Sequence, residues 1–322
     1  MPLDPVAYQP YKNPDDFIRE VTDLIWVDQS ISFLQENYAV DSIVHGAYGT
    51  STDRDEVIKS TLMSISAAPD FTGQAEDVIW EARGDGAFLS SHLVLSAQLN
   101  TPEYSRSIAN CLYRSGRMVE EWVVRDDLAG ALQRGDDLDE LARVQAFSGY
   151  AGTMNNPAPI DPIAAGDSGP RPDVYRSEVE TVLAMIQAVW NERDLQKVHK
   201  YFHRDLVLLT VGNRVIIRPA GYQRALLRFL ESFPSGQFEI RDIQTNYDIR
   251  YAGLRVAVTW RFVADYDGKP NYGPLTGKPV EVLGISQFTL HEGALVKEVR
   301  LWDDIALRAQ IAAGRGDVPV DR

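Results

Sequence analysis

One cysteine, Cys111, stands in a chain of 322 residues. That scarcity excludes an intramolecular disulfide and a cysteine-built zinc cluster, and the lone thiol reads as a small buried hydrophobe of a strand. Long apolar runs are missing too. No stretch approaches the ~18 to 20 apolar residues that span a bilayer. The N-terminal MPLDPVAYQPYKNPDD has neither a basic start nor an apolar core. The expectation is a cytoplasmic protein with no membrane association. Basic residues are in deficit: 32 Lys and Arg against 46 Asp and Glu leave a net charge of −14, a field that repels nucleic acid. There is also no CxxC pair, no HExxH, no P-loop, no GxSxG elbow and no GxGxxG. Metal hydrolysis, phosphate-loop, serine-hydrolase and dinucleotide chemistry therefore lack motif support.

What the chain does have is length and repetition. With 44% hydrophobic residues it can build two cores. The segments Gly116 to Gln133 (GRMVEEWVVRDDLAGALQ) and Gly293 to Gln310 (GALVKEVRLWDDIALRAQ) align without gaps at an offset of 177. Each holds a Gly turn, an alternating strand, an Asp-Asp pair and a short amphipathic helix. An earlier pair aligns at an offset of 164, with Trp26 opposite Trp190, Tyr38 opposite Phe202 and Asp41 opposite Asp205. The difference in offset places insertions in the second copy, in the hairpin ADYDGKPNYGPLTGKP.

Each copy reads as a helix (Asp15 to Gln35; Arg176 to Tyr201), a strand, a second helix (Arg54 to Ser66; Ala220 to Phe233) and three or four alternating strands. Helices followed by an antiparallel sheet is an α+β pattern. Residues 146–173, rich in Pro, Gly, Ala and Asn, read as a linker between domains at 1–145 and 174–322.

This order, closed by Gly116, Glu120, Trp122 and Asp126 as Gly-x-x-x-Glu-x-Trp-x-x-x-Asp, resembles the SnoaL-like branch of the nuclear transport factor 2 superfamily. The second copy departs from that pattern, with Lys297 and Val299 replacing the glutamate and tryptophan and only Asp303 surviving. The resemblance implies two tandem cones, each a curved sheet with helices packed on its concave side. It also implies a pseudo-dimer formed through the sheets; further homo-oligomerisation stays open. Strand alternation puts Met118, Glu120, Trp122, Val124 and Asp126 on one face. The resemblance turns that face into the cone and leaves Glu121, Val123 and Arg125 to meet Glu298, Arg300 and Trp302 between the copies.

On this reading the N-terminal cone is catalytic. Asp126 is the base, His92 the donor to a developing oxyanion, and His45 a further pocket residue. Trp122, Trp80, Tyr38 and Glu120 bind substrate. Asp127 reads as the cap of the following helix. The second cone has lost both histidines, with Leu209 opposite His45 and Thr259 or Trp260 opposite His92. Asp303, Tyr247 and Trp260 remain there as ligand-binding candidates, and an alternative places the base at Asp303, the donor at Tyr247 and a lid over Tyr266 to Pro279. The expected activity is cofactor-independent acid/base catalysis of the cyclase, isomerase or hydratase type on a small hydrophobic carbonyl compound. The competing reading is a non-catalytic small-molecule-binding or accessory protein.

Overall fold

The computed structural model describes residues 8–83, 86–147, 175–248, 250 and 253–316. All but the first two residues of the expected linker lie outside them. The first unit runs α1 (Pro14–Trp26), α2 (Ile31–Asn37), β1 (Tyr38–Gly46), β2 (Gly49–Ser51) and α3 (Arg54–Ala67), then β3 (Phe71–Ala82), β4 (Phe88–Gln98), β5 (Tyr104–Arg114), β6 (Arg117–Arg125), α4 (Asp127–Arg134) and α5 (Leu138–Phe147). The second runs α6 (Arg176–Met185), which continues as a π-helix over Ile186–Asn191, a 3-10 turn at Leu195–Lys197, α7 (Val198–Tyr201), β7 (Phe202–Thr210), β8 (Arg214–Ile217) and α8 (Arg218–Leu230). It closes with β9 (Gln237–Asp248), β10 (Gly253–Asp265), β11 (Pro279–His291), β12 (Ala294–Trp302) and α9 (Asp304–Arg315). The sheets have orders β2-β1-β6-β5-β4-β3 and β8-β7-β12-β11-β10-β9, the same topology twice.

The first expected helix breaks at residues 27–30, where Gln29 takes a left-handed φ of 54°. α1 starts on Asn13, whose side chain accepts from the Asp16 amide, and lays Phe17, Ile18, Val21 and Ile25 on the sheet. The inner wall of the N-terminal cone is Ala75, Val78, Phe88, Ala109, Cys111, Tyr113, Met118 and Val123, all clustered with the helices. Cys111 is buried there, as a small hydrophobe. The second unit seats α8 through Tyr222, Leu226, Phe229 and Leu230. A Cβ on Gly284 would come within 2.0 Å of the Trp260 ring. Gly284→Ala should therefore displace that indole and cost about 1 to 3 kcal/mol in urea denaturation.

The connection between β10 and β11, residues 266–278, is longer than its counterpart at 99–103, as the repeat offsets suggest. It is pinned rather than poised as a lid: Asn271 donates to the Arg228 carbonyl and Ser232 hydroxyl, and Tyr266 donates to the Gly273 carbonyl.

The two sheets pack back to back. Leu89, Leu93, Ile108, Leu112, Trp122 and Val124 of the first share a core with Ile285, Val299 and Leu301 of the second. Polar ties cross the same seam. Asn110 donates to Thr259, and Gln287, its equivalent on β11, donates to Ser91. Arg83 pairs with Asp242, and Arg255 with Asp77. The internal pseudo-dimer is real, but it uses the opposite strand faces from those expected.

The physical reason is a bulge. Tyr113 pairs with Met118 and Leu112 with Glu120, so Val119 is an extra residue in β6. One inserted residue flips every later side chain. Met118 therefore shares the inner face with Glu121 and Val123, while Glu120, Trp122 and Val124 face the seam. β12 repeats the device at Val296, turning Glu298, Arg300 and Trp302 into their own cone. The imagined contact of Arg125 with Trp302 across the seam does not form.

Candidate active site

The expected convergence of Asp126, His92 and His45 does not occur. Asp126, only 1% exposed, accepts from the Ala129 amide as the cap of α4. It also accepts from the Gly212 and Asn213 amides, at 2.7 and 3.0 Å, in the β7–β8 turn of the other unit. Asp303 plays the matching part: it caps α9 through the Ala306 amide and accepts from the Tyr48 hydroxyl in the β1–β2 turn. Burial, with Asp127 beside it, holds the Asp303 carboxyl well above the usual carboxylate range. The cap is thus Asp126 and not Asp127, and this aspartate pair clasps the units together. Asp126 adjoins a cleft of about 300 Å³ between β5, α4 and α5, outside the cone. Asp126→Asn should cost about 1 to 2 kcal/mol in denaturation through weakened capping and cross-unit bonds.

His45 is a satisfied seam residue. Its Nε2 lies 2.9 Å from Glu120 Oε1, its Nδ1 lies 3.2 Å from the Thr50 hydroxyl, and its ring stacks on Trp122 at 5.2 Å. Glu120 and Trp122 are thereby placed away from the cone as well. Tyr247, 55% exposed near the end of β9, lines no cone. Trp260 does lie inside the second cone, donating to the Ser286 hydroxyl at 3.1 Å. Leu209 does stand opposite His45, whereas sheet register places Val258 opposite His92 in place of Thr259 or Trp260.

Of the residues expected in the N-terminal cone, His92, Trp80 and Tyr38 are there. His92 pairs in register with Ala109 and Val78, both inner-face residues. Burial pushes its imidazole down to about 4, so it is neutral at pH 7, and its Nδ1 has no hydrogen-bond partner. Trp80 alternates with Val78 onto the same wall, and Tyr38 is packed among the helices.

Glu121 is the group that the sequence reading turned the wrong way. It pairs in register with Cys111 and Val44 on the inner face. Burial raises its carboxyl to about 7, with Arg125 pulling weakly in the other direction. No hydrogen bond to it is found among the described residues. Glu121 and His92 each keep part of their accessible surface. A usable signal was present in the sequence: at the 177 offset Glu121 falls opposite Glu298, so both copies carry a glutamate at this strand position, and burial raises both carboxyls.

The second cone is built differently. Arg300 lies 4.8 Å from the Trp190 ring and 5.1 Å from that of Tyr222, donates to the Tyr222 hydroxyl, and pairs with Glu298 at 3.5 Å. Among the described residues no group of His, Cys, Asp and Glu is arranged to hold a metal ion, and no helix is long and apolar enough to cross a membrane.

Residues 180–311 match the family model of the SnoaL-like polyketide cyclases. Solved structures with a similar fold include a candidate SnoaL-like polyketide cyclase from Jannaschia sp. CCS1, at 22% identity and a TM-score of 0.40, covering 45% of this chain and 98% of that one. A candidate polyketide cyclase from Acidithiobacillus ferrooxidans follows at 21% identity, TM-score 0.38, with 44% and 98% coverage. An LEH-like epoxide hydrolase from M. tuberculosis gives 17% identity, TM-score 0.34, with 44% and 93% coverage. No curated protein sequence matches the chain. The C-terminal unit thus matches the SnoaL-like family over residues 180–311, and the N-terminal unit repeats its strand order.

Proposed function

We propose that the N-terminal cone is a cofactor-independent acid/base site, in which Glu121 takes a proton from a carbon next to a carbonyl and returns it to the product. The observation that carries this reading is a carboxyl held near pH 7, unpartnered, on the wall of an apolar cone. A base poised near working pH combines a useful ionised fraction with driving force for the transfer. His92, neutral and with an orphaned ring nitrogen, supplies a hydrogen bond to the developing enolate oxygen. Trp80, Val94 and Tyr38 give the site its apolar walls and favour a small hydrophobic carbonyl compound. Aldol-type cyclisation and isomerisation both begin with such a proton transfer; in hydration the same carboxylate would take its proton from the attacking water instead.

A binding-only reading has one observation in its favour. Glu121 on β6 and His92 on β4 are separated by β5, roughly 10 Å across the sheet, so the two groups make no contact without a bridging guest.

The test is incubation in D₂O with a panel of hydrophobic ketones, β-dicarbonyl compounds and epoxides, followed by mass spectrometry. Deuterium uptake or conversion by wild type, lost in Glu121→Gln with binding retained, supports the acid/base site. Compounds that bind wild type and Glu121→Gln alike, with no exchange by either, leave the cone a binding cavity.

A further inference from the structure

Inside the second cone, three polar atoms on one face of β12 have no partner: Glu298 Oε2, Arg300 Nε and Trp302 Nε1. Their residues are 1, 3 and 5% exposed. The rest of this row is satisfied. Trp260 donates to the Ser286 hydroxyl, which donates to Glu298 Oε1, and Trp190 and Arg300 both donate to the Tyr222 hydroxyl. A core that needed only to pack would not hold a guanidinium and a carboxyl here, because a partly satisfied buried network is less stable than an apolar one. An orphaned buried polar atom calls for a missing companion.

A second, independent feature points to the same place. The helix over this cone leaves α geometry for a π-turn at Ile186–Asn191, which brings Trp190 over the Arg300 guanidinium. Such turns concentrate at functional sites. In the first unit the matching helix is regular to its end at Trp26, which packs on Phe71 instead, and the position of Arg300 is occupied by Val123. Distorted helix and buried cation occur together, in one copy only.

We propose that the C-terminal cone is a second ligand site, which takes a small planar carboxylate bound by Arg300 and Trp302 with Glu298 as a third hydrogen-bonding partner. Two of the orphaned atoms are N–H donors, which suits an acceptor-rich group. Burial raises the Glu298 carboxyl, while Arg300 beside it pulls the other way. The aromatic walls suit a flat guest. This site is independent of the reading given for the N-terminal cone.

The experiment is thermal denaturation of the full chain with acetate and benzoate, against acetamide and benzamide as neutral counterparts of the same shape. The expected result is a saturable rise in Tm with a carboxylate and not with its amide. Trp302→Phe keeps an aromatic ring but removes an orphaned donor, and should weaken that binding about tenfold, as should Arg300→Lys. Glu121→Gln should leave it unchanged. If Arg300→Lys does not fold, Trp302→Phe carries the test. The proposal is overturned if no carboxylate stabilises the wild type beyond its amide, or if Trp302→Phe binds as wild type does. It is equally overturned if Glu121→Gln abolishes the effect, which would place the anion in the other cone.

Discussion

Glu121→Gln should produce a protein that is more stable than wild type above pH 7 and has lost about 10² to 10⁴ of its proton-transfer rate. The stability gain follows from linkage. The folded-state carboxyl is raised to about 7 from an ordinary value of 4.5, so between those values the folded chain binds more protons than the unfolded one. Stability is then lost as pH rises through this window, by no more than about 3 kcal/mol once the group is ionised. Glutamine removes the titration and should flatten the profile, which urea denaturation at pH 5 and pH 8 reads directly. A glutamate whose only role was to hold the fold would give the opposite sign, with the variant less stable at both pH values. On the proposed reading the same titration sets the rate: a base at Glu121 must be ionised, so exchange should rise as pH passes through 7.

The largest loss of stability is expected from Arg255→Ala. Arg255 is 1% exposed and pairs with Asp77 across the seam, and it also donates to Asn246 at 2.7 Å. Burial lowers its guanidinium to about 10, a sign of how much water the group has lost. Removing it leaves the Asp77 carboxylate, 6% exposed, without that cation and should cost about 3 to 5 kcal/mol. Replacing both partners by leucine should cost much less than the single change, because no uncompensated charge stays behind. Equal losses in the single and double variants, measured by denaturation, would mean that packing and not the ion pair holds the seam there.

The duplication and the order of elements were legible in the sequence because they rest on features that survive locally: the Gly turns at Gly116 and Gly293, the Asp-Asp pairs, and the helical and alternating patterns. The orientation of the last strand was not. Alternation specifies two faces only while no residue is inserted, and nothing in GRMVEEWVV distinguishes Val119 as a bulge from Val119 as an ordinary strand residue. That one insertion exchanged Glu120 and Trp122 for Glu121 and Val123 inside the cone. Asp126 was misjudged for a different reason. Its three amide donors include two from the other unit, and a contact between residues 126 and 212 leaves no mark on local sequence. His45 failed likewise, since its partner Glu120 lies on the strand whose face had been reversed. The π-turn that separates Trp190 from Trp26 has no signal in helical periodicity, so the polar row of the second cone was visible only in three dimensions.

The most direct measurement is the titration of the Glu121 side chain by NMR with ¹³C-labelled carboxyl carbons, its signal identified as the one missing from Glu121→Gln. A midpoint near pH 7 is predicted, moving when a carbonyl compound occupies the cone. A midpoint at the ordinary glutamate value of about 4.5 would contradict the account, because a solvated carboxylate there would be neither buried nor poised to move a proton.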